Sequence, residues 1–263
     1  MASKRKGKND HQIWCVNVIR YCEAINGGKI ILMRKPDTER QVMQRIDELC
    51  QGIETYLDTF RRECPFSSEQ LRLHVKTINL RFRLGSVEAA LESDDFTRYL
   101  WLTLRAWGLN ARGARLLPLE DFKQMLIDHR DQVSELDGVK IDGADLPVRS
   151  IALKLWRLVD EIRVSEAENP VVSGSKTLHH LLPELVLPID REYTRRFFKF
   201  WMSYFQYNPE RVFMYIWEKA ALIAHKINLR RYIGWTKWCT SITKVLDNAI
   251  VGYCIKHRLP RLH

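Results

Sequence analysis

Apolar residues in this chain recur at three- and four-residue spacing almost from end to end, and nowhere does a two-residue alternation persist for the length of a strand. That pattern restricts the fold class to all-α with little or no sheet, because an apolar stripe faces a core only when the backbone period matches its spacing. The clearest stripe, Val42, Ile46, Leu49, Ile53, Tyr56, Leu57 and Phe60, runs through residues 38–64 and ends at Cys64-Pro65. A second occupies residues 145–166, with Val148, Ile151, Leu155, Leu158, Val159 and Ile162 on one side. Capping and breaking residues place further helices at 11–25, stopped by Gly27-Gly28, and at 67–84, 86–91, 94–107 and 119–136. Others are expected at 177–182, from 190 onward, at 208–227 and at 235–258, about nine to eleven helices in all.

Residues 1–9 read as a disordered basic tail carrying Lys4, Arg5, Lys6 and Lys8. The expected organisation beyond it is a helical lobe at 10–143 and a second lobe at 144–263, which can also merge into one compact domain. No apolar run reaches the length of about 18 residues that spans a bilayer, and the charged N-terminal residues lack an apolar segment of signal-peptide type. An intracellular protein is expected, cytoplasmic and nucleoid-associated or, in a eukaryote, nuclear. The six cysteines, Cys15, Cys22, Cys50, Cys64, Cys239 and Cys254, show neither Cys-x-x-Cys pairs nor metal-type spacing, so reduced, mostly buried thiols and no metal or cofactor are expected.

Charge narrows the partner. Lys and Arg number 42 against 32 Asp and Glu, a formal net charge of +10. A polyanion suits such a surface, because neutralising phosphates releases condensed counterions.

One segment carries chemistry. Ser173-Gly174-Ser175-Lys176-Thr177 precedes an apolar stretch, and Leu187-Pro188-Ile189-Asp190 follows it. A tight hairpin at Ser173, Gly174 and Ser175, followed by a helix opening at Thr177, would aim backbone N–H groups outward as a phosphate clamp. Lys176 at that helix N-terminus would feel the positive end of the dipole, which disfavours its ammonium form and suits it for nucleophilic attack. Asp190 begins the next helix fourteen residues later, where a carboxylate can stabilise an oxocarbenium-like sugar. Each element alone is also ordinary capping chemistry; their order is what points to a site.

In that order the segment resembles the helix-hairpin-helix DNA glycosylases, in particular those of the 8-oxoguanine type, whose pattern has Gly-Thr-Lys opening a helix and Val-Pro-Val-Asp after it. The Lys-to-Asp spacing is shorter here, and Pro170-Val171-Val172-Ser173-Gly174 lacks the family's Gly-x-Gly ending. The resemblance implies an all-α helix-hairpin-helix fold around a basic cleft. It also implies a monomer acting on double-stranded DNA, Lys176 as Schiff-base nucleophile and Asp190 as its essential carboxylate. The reaction would be excision of a damaged or modified base. The alternative is a non-catalytic DNA-binding protein that uses the hairpin as a clamp.

Two further groups are candidates. The Gly-rich stretch Trp107-Gly108-Leu109-Asn110-Ala111-Arg112-Gly113-Ala114-Arg115 can set Asn110, Arg112 and Arg115 against DNA. Trp235, Trp238, Lys244, Asp247 and Asn248 fall within a few helical turns, and a late helix lines the base pocket of the resembled family; aromatic and amide groups suit a flipped base, although such tryptophans also fit a core. Adjacent His179 and His180 point to different faces and do not share a metal through that spacing alone.

Overall fold

The computed structural model describes residues 36–110 and 113–260. The expected basic tail, the helix at 11–25, Cys15, Cys22 and Arg112 lie outside them. The chain divides into two units, Met1–Gln41 and Val42–His263, and the whole candidate site belongs to the second.

Among the described residues the protein is all-α, with thirteen α-helices and no strand; Leu116 and Ser165 form one isolated antiparallel bridge. In chain order these are α1 (Pro36–Gln51), α2 (Ile53–Glu63), α3 (Ser68–Leu84), α4 (Val87–Glu92), α5 (Asp94–Leu104), α6 (Leu119–Asp128) and α7 (Arg130–Ser134). There follow α8 (Val148–Glu161), α9 (Val171–Leu181), α10 (Tyr193–Phe197), α11 (Met202–Tyr207), α12 (Pro209–Lys226) and α13 (Ile242–Lys256). No helix among the described residues is long and apolar enough to cross a membrane.

The thirteen exceed the ten helices expected within the described residues because three expected runs each break in two, the one from residue 190 onward into α10 and α11. Gly52 separates α1 from α2 with non-helical dihedrals, and His129 does the same between α6 and α7. The apolar stripe continues across the first break: Val42, Ile46, Leu49, Ile53, Tyr56, Leu57 and Phe60 are all buried. One apolar cluster contains residues from both sides of position 143.

Two helices form the centre. In α13 every residue from Ile242 to Cys254 is buried, the signature of a helix surrounded by protein rather than lying on it. It packs on α2, α10 and α12, and Gly252 lets α2 approach so closely that a Cβ there would lie 1.9 Å from the Tyr56 carbonyl oxygen. In α9 all residues but Val172 and Lys176 are buried. Its Gly174 abuts α8, where a Cβ would come within 3.0 Å of the Val159 backbone oxygen.

That geometry corrects the expected hairpin. Residues 171–181 are one helix, so Lys176 sits in its middle and not at an N-terminus. The helix begins early because the Asn169 side chain accepts the Val171 N–H at 2.9 Å, while its amide donates to the Phe205 carbonyl at 2.8 Å. Gly174 serves close packing instead of a turn, and its N–H bonds the Pro170 carbonyl at 2.7 Å. Ser173, Gly174 and Ser175 are buried within α9 and expose no phosphate clamp. At the other end of α9, buried Arg81 donates to the Leu181 carbonyl at 2.7 Å and to Asp137 at 2.5 Å, fixing the helix C-terminus with charge-assisted bonds. The last helix also starts later than expected, at Ile242, where Ser241 accepts the Lys244 N–H at 3.3 Å.

Candidate functional site

Residues from five segments meet at a cavity of about 60 Å³. The rings of Phe66, Trp107 and Trp238 wall it; Lys176, Asp190, Lys244 and Asp247 supply its charges, and Gln70 and Pro188 complete it. The sequence reading therefore named five of the lining residues as candidates, Lys176, Asp190, Trp238, Lys244 and Asp247; Pro188 and Trp107 entered it only as members of quoted stretches, and Phe66 and Gln70 were not singled out.

Local structure explains how each arrives. Gln70 closes a capping box with Ser67 at the start of α3, and its amide also donates to the Ala106 carbonyl at 2.9 Å. That bond ties α3 to the π-helical turn Arg105–Leu109, in which Trp107 leaves helical geometry and Gly108 takes φ +83°. Glycine tolerates that reversal without a Cβ clash. Lys176 comes from α9 and Asp190 from the extended crossing that follows it. Ser175 joins the two, its hydroxyl accepting the Ile189 N–H at 3.1 Å, so the residues beside this bond, Lys176 and Asp190, return to one place. Lys244 and Asp247 stand at i and i+3 on α13.

The electrostatics are unusual for a core. Lys244 is 2% exposed and donates to Asp247. Its ammonium lies 5.2 Å from the Trp238 ring centroid, 5.3 Å from that of Trp107 and 5.4 Å from that of Phe66, an aromatic cage around a paired cation. Burial pushes the Asp247 carboxyl up, opposed by Lys244. The Lys176 amine lies 5.4 Å from the Trp107 ring and 3.5 Å from its carbonyl oxygen. Burial pulls its pKa below the ordinary lysine value, against the raising influence of Asp190 and Asp247. Removing an ammonium from water penalises the charged form, and the unprotonated amine is the nucleophile.

Asp190 does two things at once. Its Oδ1 accepts the backbone N–H groups of Glu192 at 2.7 Å and Tyr193 at 2.5 Å, anchoring the turn into α10. Its Oδ2 accepts from the Thr194 hydroxyl at 3.4 Å.

Behind the aromatic wall lies a buried histidine group. His180 Nδ1 donates to the Lys176 carbonyl at 2.7 Å, which leaves Nε2 to accept from His74 Nδ1 at 3.2 Å. His74 Nε2 then accepts from the Thr240 hydroxyl at 2.9 Å. His179 Nδ1 donates to the Val186 carbonyl at 2.9 Å, and its Nε2 has no hydrogen-bond partner among the described residues. Among the described residues no set of three or more His, Cys, Asp or Glu side chains is placed to hold a metal ion. Burial holds His74 and His179 well below the usual histidine range and His180 at about 4.

That burial makes a pH prediction. The unfolded chain binds protons near the ordinary histidine value of 6.5 while the fold keeps these rings neutral. Their contribution is complete above about pH 6.5 and is lost as pH falls toward about 4, on the order of 3 kcal/mol from His180 alone. Denaturation midpoints measured from pH 7 to 4 should fall accordingly, and His180→Gln should flatten the lower part of the curve. A wild-type stability constant across that range would show that the rings take up protons within the fold.

The remaining candidates lie elsewhere. Trp235 is 41% exposed, with its indole N–H 3.3 Å from Asp58, and does not line the cavity. It precedes α13, because residues 235–240 form turns held by Thr236, whose hydroxyl accepts the Trp238 N–H at 3.1 Å. Asn248 is buried on α13 with its amide 3.5 Å from the Cys239 sulfur, and its Oδ1 has no partner among the described residues. Asn110 and Arg115 are exposed; the Arg115 carbonyl accepts the Glu166 N–H at 2.8 Å. The four described cysteines are free.

No family model, curated protein or solved structure matches this chain.

The cavity's chemistry follows from its own groups. An amine of lowered basicity beside a carboxylate can attack an electrophilic carbon and have the resulting positive charge stabilised. Aromatic walls suit a flat, conjugated guest. At about 60 Å³, however, the cavity is well below the roughly 300–1,000 Å³ of ordinary ligand pockets, so a guest the size of a base requires its walls to part.

Proposed function

We propose that the protein is a DNA glycosylase that excises a damaged or modified base, with Lys176 as the nucleophile and Asp190 as the assisting carboxylate. The observation that carries this reading is the pairing of the Lys176 amine, made less basic by burial, with Asp190 in one aromatic-walled cavity. The net charge of +10 supports a polyanionic substrate, and the order of Lys176, Pro188 and Asp190 supports the glycosylase class.

In the proposed reaction a nucleotide flips from the duplex and its base enters between the parted aromatic walls. The Lys176 lone pair forms a bond to the sugar C1′ as the C1′–N bond breaks, and the departing base keeps that electron pair and takes up a proton. Asp190 stabilises the positive charge that develops on the sugar. The amine loses a proton, and the ring C1′–O4′ bond then opens with protonation of O4′, which leaves an iminium between Lys176 and C1′.

Borohydride reduces such an iminium to a stable amine. The wild-type protein, incubated with a panel of duplexes bearing oxidised purines, uracil, alkylated bases and abasic sites, should give a borohydride-trapped adduct that peptide mass analysis maps to Lys176. Binding to the same duplexes should weaken by orders of magnitude between about 50 and 200 mM salt. Steep salt dependence without base release or adduct on any lesion would favour a non-catalytic DNA-binding protein. Salt-independent or absent binding would remove nucleic acid as the partner.

A further inference from the structure

Three groups on the Lys176 side of α13 are unusual for a purely structural core: a buried cation, its buried carboxylate partner, and an aromatic ring shared with a second amine. Trp107 has the Lys244 ammonium 5.3 Å from its centroid and the Lys176 amine 5.4 Å from it. Both side chains line the same cavity. A pair placed only to fill space would be replaceable by apolar residues, since burying ions is costly.

We propose that Lys244 is a positioning residue for Lys176, its caged ammonium opposing protonation of the neighbouring amine across the Trp107 ring. The inference rests on the nucleophile reading of Lys176 and adds to it a residue that sets the nucleophile's reactivity. Two carboxylates of the cavity, Asp190 and Asp247, both favour the ammonium form of Lys176. Lys244 is the cation on the cavity wall that opposes them. It holds its place because Asp247 accepts its proton-bearing end and three rings surround it. A cation fixed in this way acts on a neighbouring amine without moving away, the same electrostatic device that activates lysines set beside a second cation.

The other charged and titratable groups around Lys176 are accounted for. Arg191, next to Asp190, acts in the same sense as Lys244 but does not line the cavity. His180, one turn along α9, and His74 on α3 are held neutral by burial. Lys244 and Asp247 are therefore the two groups on α13 whose removal should move Lys176 in opposite directions.

The test reads Lys176 directly and needs no DNA. Formaldehyde with cyanoborohydride methylates only unprotonated amines, so the pH dependence of Lys176 methylation, quantified by peptide mass analysis against exposed lysines, reports its titration midpoint. Lys244→Met removes the charge while keeping a long apolar side chain, and should raise the midpoint by about one pH unit, a tenfold slower reaction at neutral pH. Lys244→Arg keeps the charge and should leave the midpoint near that of the wild type. Asp247→Asn leaves the Lys244 charge uncompensated and should lower it. General loosening of the core would move Lys244→Met and Asp247→Asn the same way, toward an ordinary lysine, and that result overturns the proposal. So does a folded Lys244→Met whose midpoint is unchanged. If Lys244→Met does not fold, Lys244→Gln, uncharged but still able to hydrogen-bond Asp247, decides in its place: a raised midpoint supports the proposal, and an unchanged or lowered one rejects it. Failure of the glycosylase reading would leave these midpoints untouched, whereas failure here would leave borohydride trapping at Lys176 intact.

Discussion

Gly252→Ala is expected to yield little or no folded protein. The added Cβ would lie 1.9 Å from the Tyr56 carbonyl oxygen, 2.8 Å from its carbon and 3.2 Å from the Phe60 nitrogen. All three are backbone atoms of α2, so no rotamer change relieves the clash. The two helices must separate, and α13 is buried along almost its whole length. Overpacking a core side chain typically costs about 1–3 kcal/mol. Pushing apart two central helices should exceed about 3 kcal/mol, a large part of the 5–15 kcal/mol that holds an ordinary domain together. Soluble yield and urea denaturation would measure it. Gly174→Ala meets Val159 at 3.0 Å rather than 1.9 Å and should be the milder variant. A Gly252→Ala protein of near-native stability would mean that α2 and α13 are not so closely apposed.

The contrast between these glycines and the turn glycines shows what the sequence could reveal. Periodicity identified the helical class because the burial it encodes is local: the stripe from Val42 to Phe60 is buried at every position. A glycine does not carry its reason with it. Gly108 is needed for a positive φ, whereas Gly174 is needed for the absence of a Cβ against Val159. Reading Gly174 as a turn put the hairpin where a helix runs and assigned Lys176 a dipole it does not feel. Its lowered basicity comes from burial instead. The meeting of Lys176 with Asp190 was legible because a Pro-bounded extended crossing can return only a short way, and the Ser175–Ile189 bond completes it.

Trp107, Phe66 and Gln70 were not legible as site residues, for a different reason. Each is brought to the cavity by contacts between segments distant in sequence, such as the Gln70 bond to Ala106 across 36 positions. No spacing rule encodes that. Trp235 and Trp238 looked equivalent on an imagined continuous helix. The Ser241 cap, which starts α13 six residues beyond Trp235, separates their fates: Trp238 walls the cavity, and Trp235 remains at the surface.

Under the proposed function, Lys176→Ala should abolish the borohydride-trapped adduct while leaving duplex binding and its salt dependence in place, since binding driven by a net charge of +10 would not depend on one half-buried amine. Adduct that persists would move the nucleophile elsewhere, with Lys244 the nearest amine of the same cavity. Base release that persists without adduct would mean that water attacks and that Asp190 carries a monofunctional reaction. Asp190 needs a variant that separates its two roles, because its Oδ1 holds the N–H groups of Glu192 and Tyr193. Asparagine keeps an acceptor oxygen for those two N–H groups, whereas alanine loses both bonds at a cost of about 1–3 kcal/mol. Asp190→Asn should therefore melt close to the wild type yet release base about 10²-fold or more slowly, the scale on which a positioned acid or base contributes. If Asp190→Asn excises base at the wild-type rate while Asp190→Ala is only less stable, the carboxylate's charge plays no part in the reaction and Asp190 only anchors the turn into α10.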